Sequence, residues 1–218
     1  NRYWFLNKNM SIPVKTIERM SLYRRVLNRL IEAKRETIFS YELANMINRT
    51  AAQVRRDFME IGQRGNPKKG YNIVDLRNAL NELMIEPNGQ KIALVGIGNL
   101  GRAVLSYFMG RSPNLTIAAA FDNDPSKTNR VIAGCKCYQI HEMDAVIKNE
   151  GITIGIMTVP LTAAQKIADM LVGAGIRSIV NWAPIHLEVP DSVFLENRDI
   201  TMSIEKAAYF AKQSASAD

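Results

Sequence analysis

Cysteine is almost missing: 218 residues carry only Cys135 and Cys137. Two thiols two positions apart cannot build a disulfide framework, which excludes a stapled secreted module and makes a reducing cytoplasm the expected location. Histidine is equally scarce, with only His141 and His186. Two Cys and two His without ligand spacing argue against zinc, so no metal is expected. Both histidines read as structural, and the thiols as a small buried pair on one side of a strand. No apolar run approaches the roughly 18 residues of a membrane span, and no signal-peptide core opens the chain, so no membrane partner is expected. G-x-S-x-G and Walker A motifs are missing as well. The chain starts at Asn1; Met10 reads as a natural start, with residues 1–9 as a trimmed or added leader.

What is present is ordinary for a globular protein: 47% hydrophobic and 22% charged residues, enough chain for one large domain or two modest ones. The net charge of +7 is unevenly placed. Residues 1–90 hold 16 Lys and Arg against 9 Asp and Glu, a net +7; residues 91–218 hold 12 of each. A basic module joined to a neutral one suits a nucleic-acid binder with a separate ligand domain.

In the basic half, Ile17, Met20, Leu27, Leu30 and Ile31 place an apolar stripe on a helix from Val14 to Lys34, with Pro13 in its first turn. Ser40 is expected to cap a short helix through Ile47. After the turn at Asn48-Arg49, Thr50-Ala-Ala-Gln53 reads as a capping box opening a third helix to about Ile61. Val54, Phe58 and Ile61 face its core. Gln53, Arg55 and Arg56 then lie on the other side, in the geometry of a helix-turn-helix whose second helix enters the major groove. Arg pairs with guanine and Gln with adenine in a bidentate manner. Gly62 ends that helix. The loop Arg64-Gly-Asn-Pro-Lys68-Lys69-Gly70, flanked by two short extended pieces, would form a wing against phosphates or the minor groove. Thr50, Gln53, Arg55, Arg56, Arg64, Lys68 and Lys69 are the candidate DNA contacts. A fourth helix is expected from about Val74 to Met84.

Glu86-Pro-Asn-Gly-Gln90 is a turn-rich junction. Beyond it, the strand Lys91–Val95 runs into Gly96-Ile97-Gly98-Asn99-Leu100-Gly101 and a helix to Gly110. A G-x-G-x-x-G between strand and helix is the context that marks a dinucleotide site. Gly96 permits the tight turn, Gly98 lets backbone approach a pyrophosphate, and Gly101 lets helix and strand pack closely. A second strand, Leu115–Phe121, ends at Asp122, followed by Asn123. An acid there accepts ribose hydroxyls and repels a 2′-phosphate, which favours NADH and NAD⁺. The strand Ile152–Thr158 ends in Val159-Pro160, and Thr162-Ala-Ala-Gln165 reads as a capping box for a helix to Ala174. The strand Ser178–Asn181 ends in Trp182-Ala183-Pro184. Strand ends hold ligands in such sheets, so Thr158, Val159, Pro160, Asn181, Ala183 and Pro184 join the candidate cofactor residues. The apolar face of a last helix, Ser203–Lys212, needs a partner surface. The expected architecture is α/β: a winged helix-turn-helix at 11–86, a linker at 87–90, a Rossmann domain at 91–202 and a C-terminal helix at 203–212.

A dehydrogenase would need a substrate pocket and a proton-moving group, and the neutral half has no room for a substrate domain. The expectation is therefore not an enzyme. A small NAD-dependent oxidoreductase with a basic oligomerisation domain remains the alternative, and a repressor holding CoA a third reading.

The chain resembles the Rex family of redox-sensing repressors over residues 11–212. The segments that carry the resemblance are Ser11-Ile-Pro13, Leu22-Tyr-Arg-Arg25, Glu42-Leu-Ala44, Ala52-Gln-Val-Arg-Arg-Asp57, Gly70-Tyr71, Val95–Ala103, Phe121-Asp-Asn-Asp-Pro125, Thr158-Val-Pro160 and Asn181-Trp-Ala-Pro184. The resemblance implies a homodimer that binds a palindromic operator when NADH is scarce and releases it on binding NADH, with a domain-swapped C-terminal helix. It also implies a switch linking Tyr107 near the nicotinamide, Asp199 of the other subunit and Arg25 on the first helix. The wing departs from the pattern: the family's Arg-Gly-x-Gly-Tyr reads Pro67-Lys-Lys-Gly-Tyr71. Lysine supplies phosphate charge without the planar guanidinium fork, so an altered operator preference is expected.

Overall fold

The computed structural model describes residues 12–108, 110 and 114–215. Ser11, Met10 and residues 1–9 lie outside them. The chain divides into two compact units between Ile85 and Glu86.

The first unit comprises α1 (Val14–Glu32), β1 (Thr37–Ile38), α2 (Ser40–Met46), α3 (Ala51–Glu60), β2 (Tyr71–Asn72) and α4 (Ile73–Met84). Met20, Tyr23, Val26 and Leu27 recur at helical spacing on α1 and pack with Leu43, Val54, Phe58, Leu76 and Leu80. The Phe58 ring lies edge-on to Tyr23 and to Tyr71, each at 5.0 Å, which joins three elements through one side chain.

Three local expectations are corrected here. Phe39, not Ser40, precedes the first turn of α2; its N–H donates to the Glu42 carboxylate at 2.8 Å. Thr50 does cap α3, accepting from the Gln53 N–H at 3.2 Å, but the Gln53 side chain does not return to close a box. The wing is paired differently too. β2 follows the basic loop, but its antiparallel partner is β1, which precedes α2. Within the loop, only a bridge between Asn66 and Gly70 is formed. A two-residue strand carries no periodicity, so its partner cannot be read from spacing.

The second unit comprises β3 (Gln90–Val95), α5 (Asn99–Phe108), β4 (Leu115–Asp122), β5 (Arg130–Ile132), β6 (Cys135–Gln139), a 3₁₀ turn (Ile140–Glu142), α6 (Met143–Glu150), β7 (Ile154–Met157), α7 (Leu161–Gly173), β8 (Ser178–Asn181), β9 (Phe194–Asn197) and α8 (Ile200–Ala215). The sheet order is β5-β6-β4-β3-β7-β8-β9. All pairings are parallel except β5 with β6. From β3 the sheet grows to β4 and β6 in one direction, then to β7, β8 and β9 in the other. That reversal is the switch point of a doubly wound fold. Alternation along β3 covers both faces: Ala93 and Val95 enter one core, Ile92 and Leu94 the other.

α7 begins at Leu161 after Pro160, so the expected capping box at Thr162 is not formed. Gln165 instead reaches the backbone of Glu188, donating to its carbonyl and accepting from its N–H, each at 2.9 Å. The strand that carries both cysteines is β6, but its antiparallel partner β5, α6 and β9 were not anticipated from sequence. Both cysteines lie buried on β6, and burial pushes the Cys135 thiol up to about 11. Among the described residues no helix is long and apolar enough to cross a membrane, and no group of His, Cys, Asp or Glu could hold a metal.

Candidate functional site

Two surfaces carry the chemistry, one in each unit. In the first, α3 presents Arg55 and Arg56 to solvent. The Arg55 guanidinium donates to the Ser40 hydroxyl at 3.1 Å, which ties its reach to the start of α2. Gln53 is half-buried, and its amide nitrogen donates to Asp57 at 2.8 Å. Asp57 is fully buried and also accepts from Arg19, at 2.6 and 2.8 Å, and from the Tyr23 hydroxyl at 2.7 Å. Burial alone would raise this carboxyl; the bonds from Arg19, Tyr23 and Gln53 outweigh it and hold Asp57 below the usual carboxylate range. Sequence reading placed Gln53 as a freely exposed contact and passed over Arg19 and Asp57, which are 38 residues apart.

The wing tip is a compact turn. Asn66 and Gly70 exchange backbone bonds at 2.8 Å, and the Asn66 side-chain oxygen accepts from the N–H groups of Lys68 and Lys69. Arg64, Lys68 and Lys69 are all exposed.

In the second unit, a cleft of about 380 Å³ opens at the switch point. Gly96, Gly98, Asp122, Asn123, Thr158, Val159 and Pro160 line it. Gly96 has φ +91, and a Cβ there would stand 2.7 Å from the Thr158 carbonyl oxygen. A Cβ on Gly101 would meet the Gly96 carbonyl oxygen at 2.0 Å, so helix and strand touch through backbone. Space above Gly98 is open, with nothing within 4 Å of a Cβ placed there. An anion can therefore reach the backbone at the start of α5, where a helix leaves its first N–H groups without partners inside the helix. The Thr158 hydroxyl donates to the Gly96 carbonyl at 2.6 Å and clamps β7 to the glycine loop. These features fit the pyrophosphate of a dinucleotide.

Other assigned residues hold the cleft from behind. Ile97 is fully buried. Asn99, Leu100 and Gly101 form the first turn of α5. Asn181 is buried, and its amide nitrogen donates to the carbonyls of Ala183 and Ile185 and to Asn197, while its oxygen accepts from the Ala183 N–H. It shapes the loop carrying Trp182, Ala183 and Pro184, so direct contact with a ligand is not its placement. Asp122 is 4% exposed and accepts from the Ile97 N–H at 2.7 Å and the Asp124 N–H at 2.9 Å. Lys127, which sequence reading missed, lies 3.3 Å from Asp122 and 3.5 Å from Asp124 and lines the same cleft. Its ammonium offsets the Asp122 charge, so repulsion of a 2′-phosphate is weaker than the acid alone implies. Ile140, Ala163 and Ile167 complete the lining.

Arg25 is exposed on α1 beside the more buried Arg24, whose guanidinium burial and the neighbouring charge push below its ordinary value. Tyr107, on α5, is 61% exposed, with its ring edge-on to Phe108. Asp199 caps α8, accepting from the Met202 N–H at 3.0 Å. α8 therefore starts three residues before the expected Ser203.

A winged helix-turn-helix with exposed cations, on one chain with a glycine-lined cleft at the switch point of a Rossmann sheet, defines a ligand-responsive transcription regulator. Comparison with known proteins narrows the class. Residues 88–185 match the family described as CoA binding domain, and residues 11–58 match Putative DNA-binding protein N-terminus. The redox-sensing transcriptional repressor Rex of Lactobacillus gasseri is 37% identical over 201 residues, covering 92% of this chain and 94% of that protein. Rex of Roseiflexus sp. is 37% identical over 198 residues, covering 91% and 90%. RSP, a Rex-family repressor solved in complex with β-NAD⁺ and operator DNA, superposes with a TM-score of 0.88 at 30% identity, over 94% of this chain and 95% of that one. RSP in complex with β-NADH matches at 0.83 and 30%, over 94% and 97%. The chain belongs to the Rex family of redox-sensing transcriptional repressors. The relatives that match over nearly the whole chain are named transcriptional repressors, which disfavours the oxidoreductase alternative.

Proposed function

We propose that this chain is a cytoplasmic, homodimeric repressor that binds palindromic operator DNA when NADH is scarce and lets go when its cleft holds NADH. The supporting observation is likeness to RSP over 94% of this chain, in complexes that contain NAD⁺ with operator DNA in one case and NADH in another. NADH and NAD⁺ differ by a hydride and a charge, and in this role the bound nicotinamide is a signal rather than a reactant.

The residues divide the work as follows. Gly96, Gly98 and the first turn of α5 bind the pyrophosphate through backbone N–H groups. Asp122, steadied by Lys127, and Asn123 take the adenosine ribose. Thr158, Val159 and Pro160 line the nicotinamide side, and Asn181 holds the loop of Ala183 and Pro184 around it. Gln53 and Arg55 read bases; Arg56, Arg64, Lys68 and Lys69 meet phosphates, with Thr50 fixing the start of α3. Arg25, Tyr107 and Asp199 form the switch. The working units are a winged-helix domain at 11–86, a linker at 87–90, a cofactor domain at 91–202 and a swapped helix built on 203–212. The apolar side chains of α8, such as Ile204 and Tyr209, are 63% and 58% exposed and gain cover in the second subunit.

The test is DNA-binding titration at one fixed salt, using a palindromic duplex selected from a random pool, with NADH, with NAD⁺ and with neither. Saturating NADH should weaken binding at least ten-fold relative to NAD⁺, because an effector shifts affinity only by its differential binding to the two states. Equal affinity in all three conditions would refute the sensing role. A second reading, CoA in the same cleft, is favoured by the family match over residues 88–185. Competition of CoA against bound NADH decides between them.

A further inference from the structure

Asp57 is a charge buried in a core, which is costly unless it is paired and fully hydrogen-bonded. Here Arg19 grips it with two nitrogens, Tyr23 donates a hydroxyl, and the remaining bond comes from Gln53, one helical turn earlier on α3. Arg19 is 16% exposed in its side chain and Asp57 not at all. The Arg19 guanidinium is further held by the Thr16 hydroxyl at 2.9 Å. An ionised carboxylate only accepts, so the Gln53 amide nitrogen, not its oxygen, must face Asp57. That leaves Oε1 and the second N–H of Gln53 for a base edge, the acceptor–donor pair that matches adenine N6 and N7.

We infer that the buried Arg19–Asp57–Tyr23 cluster is a positioning device that presets the Gln53 amide for base reading, and so contributes to operator specificity without touching DNA. The inference rests on the reading of α3 as the helix that enters the major groove. A glutamine left free would lose side-chain entropy on binding and could flip its amide; one held at its nitrogen offers a single orientation. Among the described residues, Arg55 and Arg56 have no such anchor to the core, so the device acts on one side chain of the helix.

Breaking the pair by removing one partner risks unfolding, so the test replaces the cluster with apolar residues: Arg19→Met, Tyr23→Phe and Asp57→Leu together. Affinities are measured for the duplex the wild-type protein selects from a random pool, for its single-base variants and for random duplex. Gln53→Ala should lower discrimination at one base pair per half-site on the order of ten-fold, read as the ratio of selected to random duplex affinity. The folded triple variant should lose the same discrimination, and adding Gln53→Ala to it should change nothing more. A structural role alone would weaken selected and random duplex equally. Full discrimination in the triple variant, or an additive Gln53→Ala effect, would overturn the inference. On the wild-type protein, nitrogen-edited NMR should show the Gln53 side-chain amide with one proton displaced by its carboxylate bond. A pair of signals typical of a free amide would overturn it as well. A wild-type protein with no preference between selected and random duplex would instead refute the reading of α3.

Discussion

Replacing Lys68 and Lys69 together by alanine should flatten the salt dependence of operator binding without changing which operator is preferred. Both lysines are exposed on a tip that Asn66 shapes through their backbone N–H groups, so the substitutions remove charge and leave the turn in place. With Arg56 and Arg64 they make about four phosphate-directed cations per protomer and about eight in a dimer, giving a log–log slope of about −7 at roughly −0.9 per phosphate. Between about 50 and 200 mM salt, wild-type affinity then falls about 2 × 10⁴-fold. The double variant loses about four of the eight contacts, so its slope is about −3.6 and the same interval weakens it only about 150-fold. Anisotropy of a labelled duplex across a salt series measures both slopes, and single-base duplex variants measure preference. An unchanged slope would refute a phosphate contact by the wing. A changed preference at constant slope would make the lysines base readers and refute the assignment from the other side.

Replacing Ile204 and Phe210 by aspartate should release monomers. Each is 63% exposed on α8 and, if covered by a second subunit, contributes about 1–2 kcal/mol in each copy, so dimer affinity should fall by about 10³-fold or more; sedimentation that still shows a dimer at micromolar protein would contradict the swapped helix. Cys135 and Cys137 should resist alkylation in the folded protein near pH 8, because burial pushes Cys135 up to about 11 and leaves about one thiol in a thousand ionised. Mass spectrometry showing both labelled within minutes, without unfolding, would reopen a thiol-redox role. Asp122→Ala should weaken NADH about ten-fold or more, since the carboxylate also holds the Ile97 N–H at the glycine loop. Unchanged NADH affinity by calorimetry would favour CoA as the ligand.

Most of the fold was legible because its signals are local. The α1 stripe, the Thr50 cap and the G-x-G-x-x-G between β3 and α5 are each written within about ten residues, where backbone geometry and side-chain period act directly. What escaped were short or paired features. β5 has three residues and β9 four, too few for a period to show. α6, of eight residues, is a helix held mainly by burying Met143 and Ile147. Ser40 and Thr162 looked like caps because residue type alone does not reveal where the chain leaves extended geometry; Phe39 and Pro160 take those places. In the candidate site, glycine and acid positions were readable, while Lys127 was not, since a lysine five residues after an acid is ordinary until a turn folds it back.

The sequence by itself determined a basic winged helix followed by a neutral dinucleotide fold, the glycine loop at Gly96–Gly101 and the acid at the end of β4. Charge balance, helical period and glycine spacing are properties of neighbouring residues, and they survive without knowledge of packing. Only the tertiary structure decided that β1 pairs with β2 across two helices, that Asn181 faces inward, that Lys127 offsets Asp122, and that Gln53 is anchored to a buried Asp57. Those are bonds between residues brought together by burial, and burial chooses partners by shape and unmet hydrogen bonds rather than by distance along the chain.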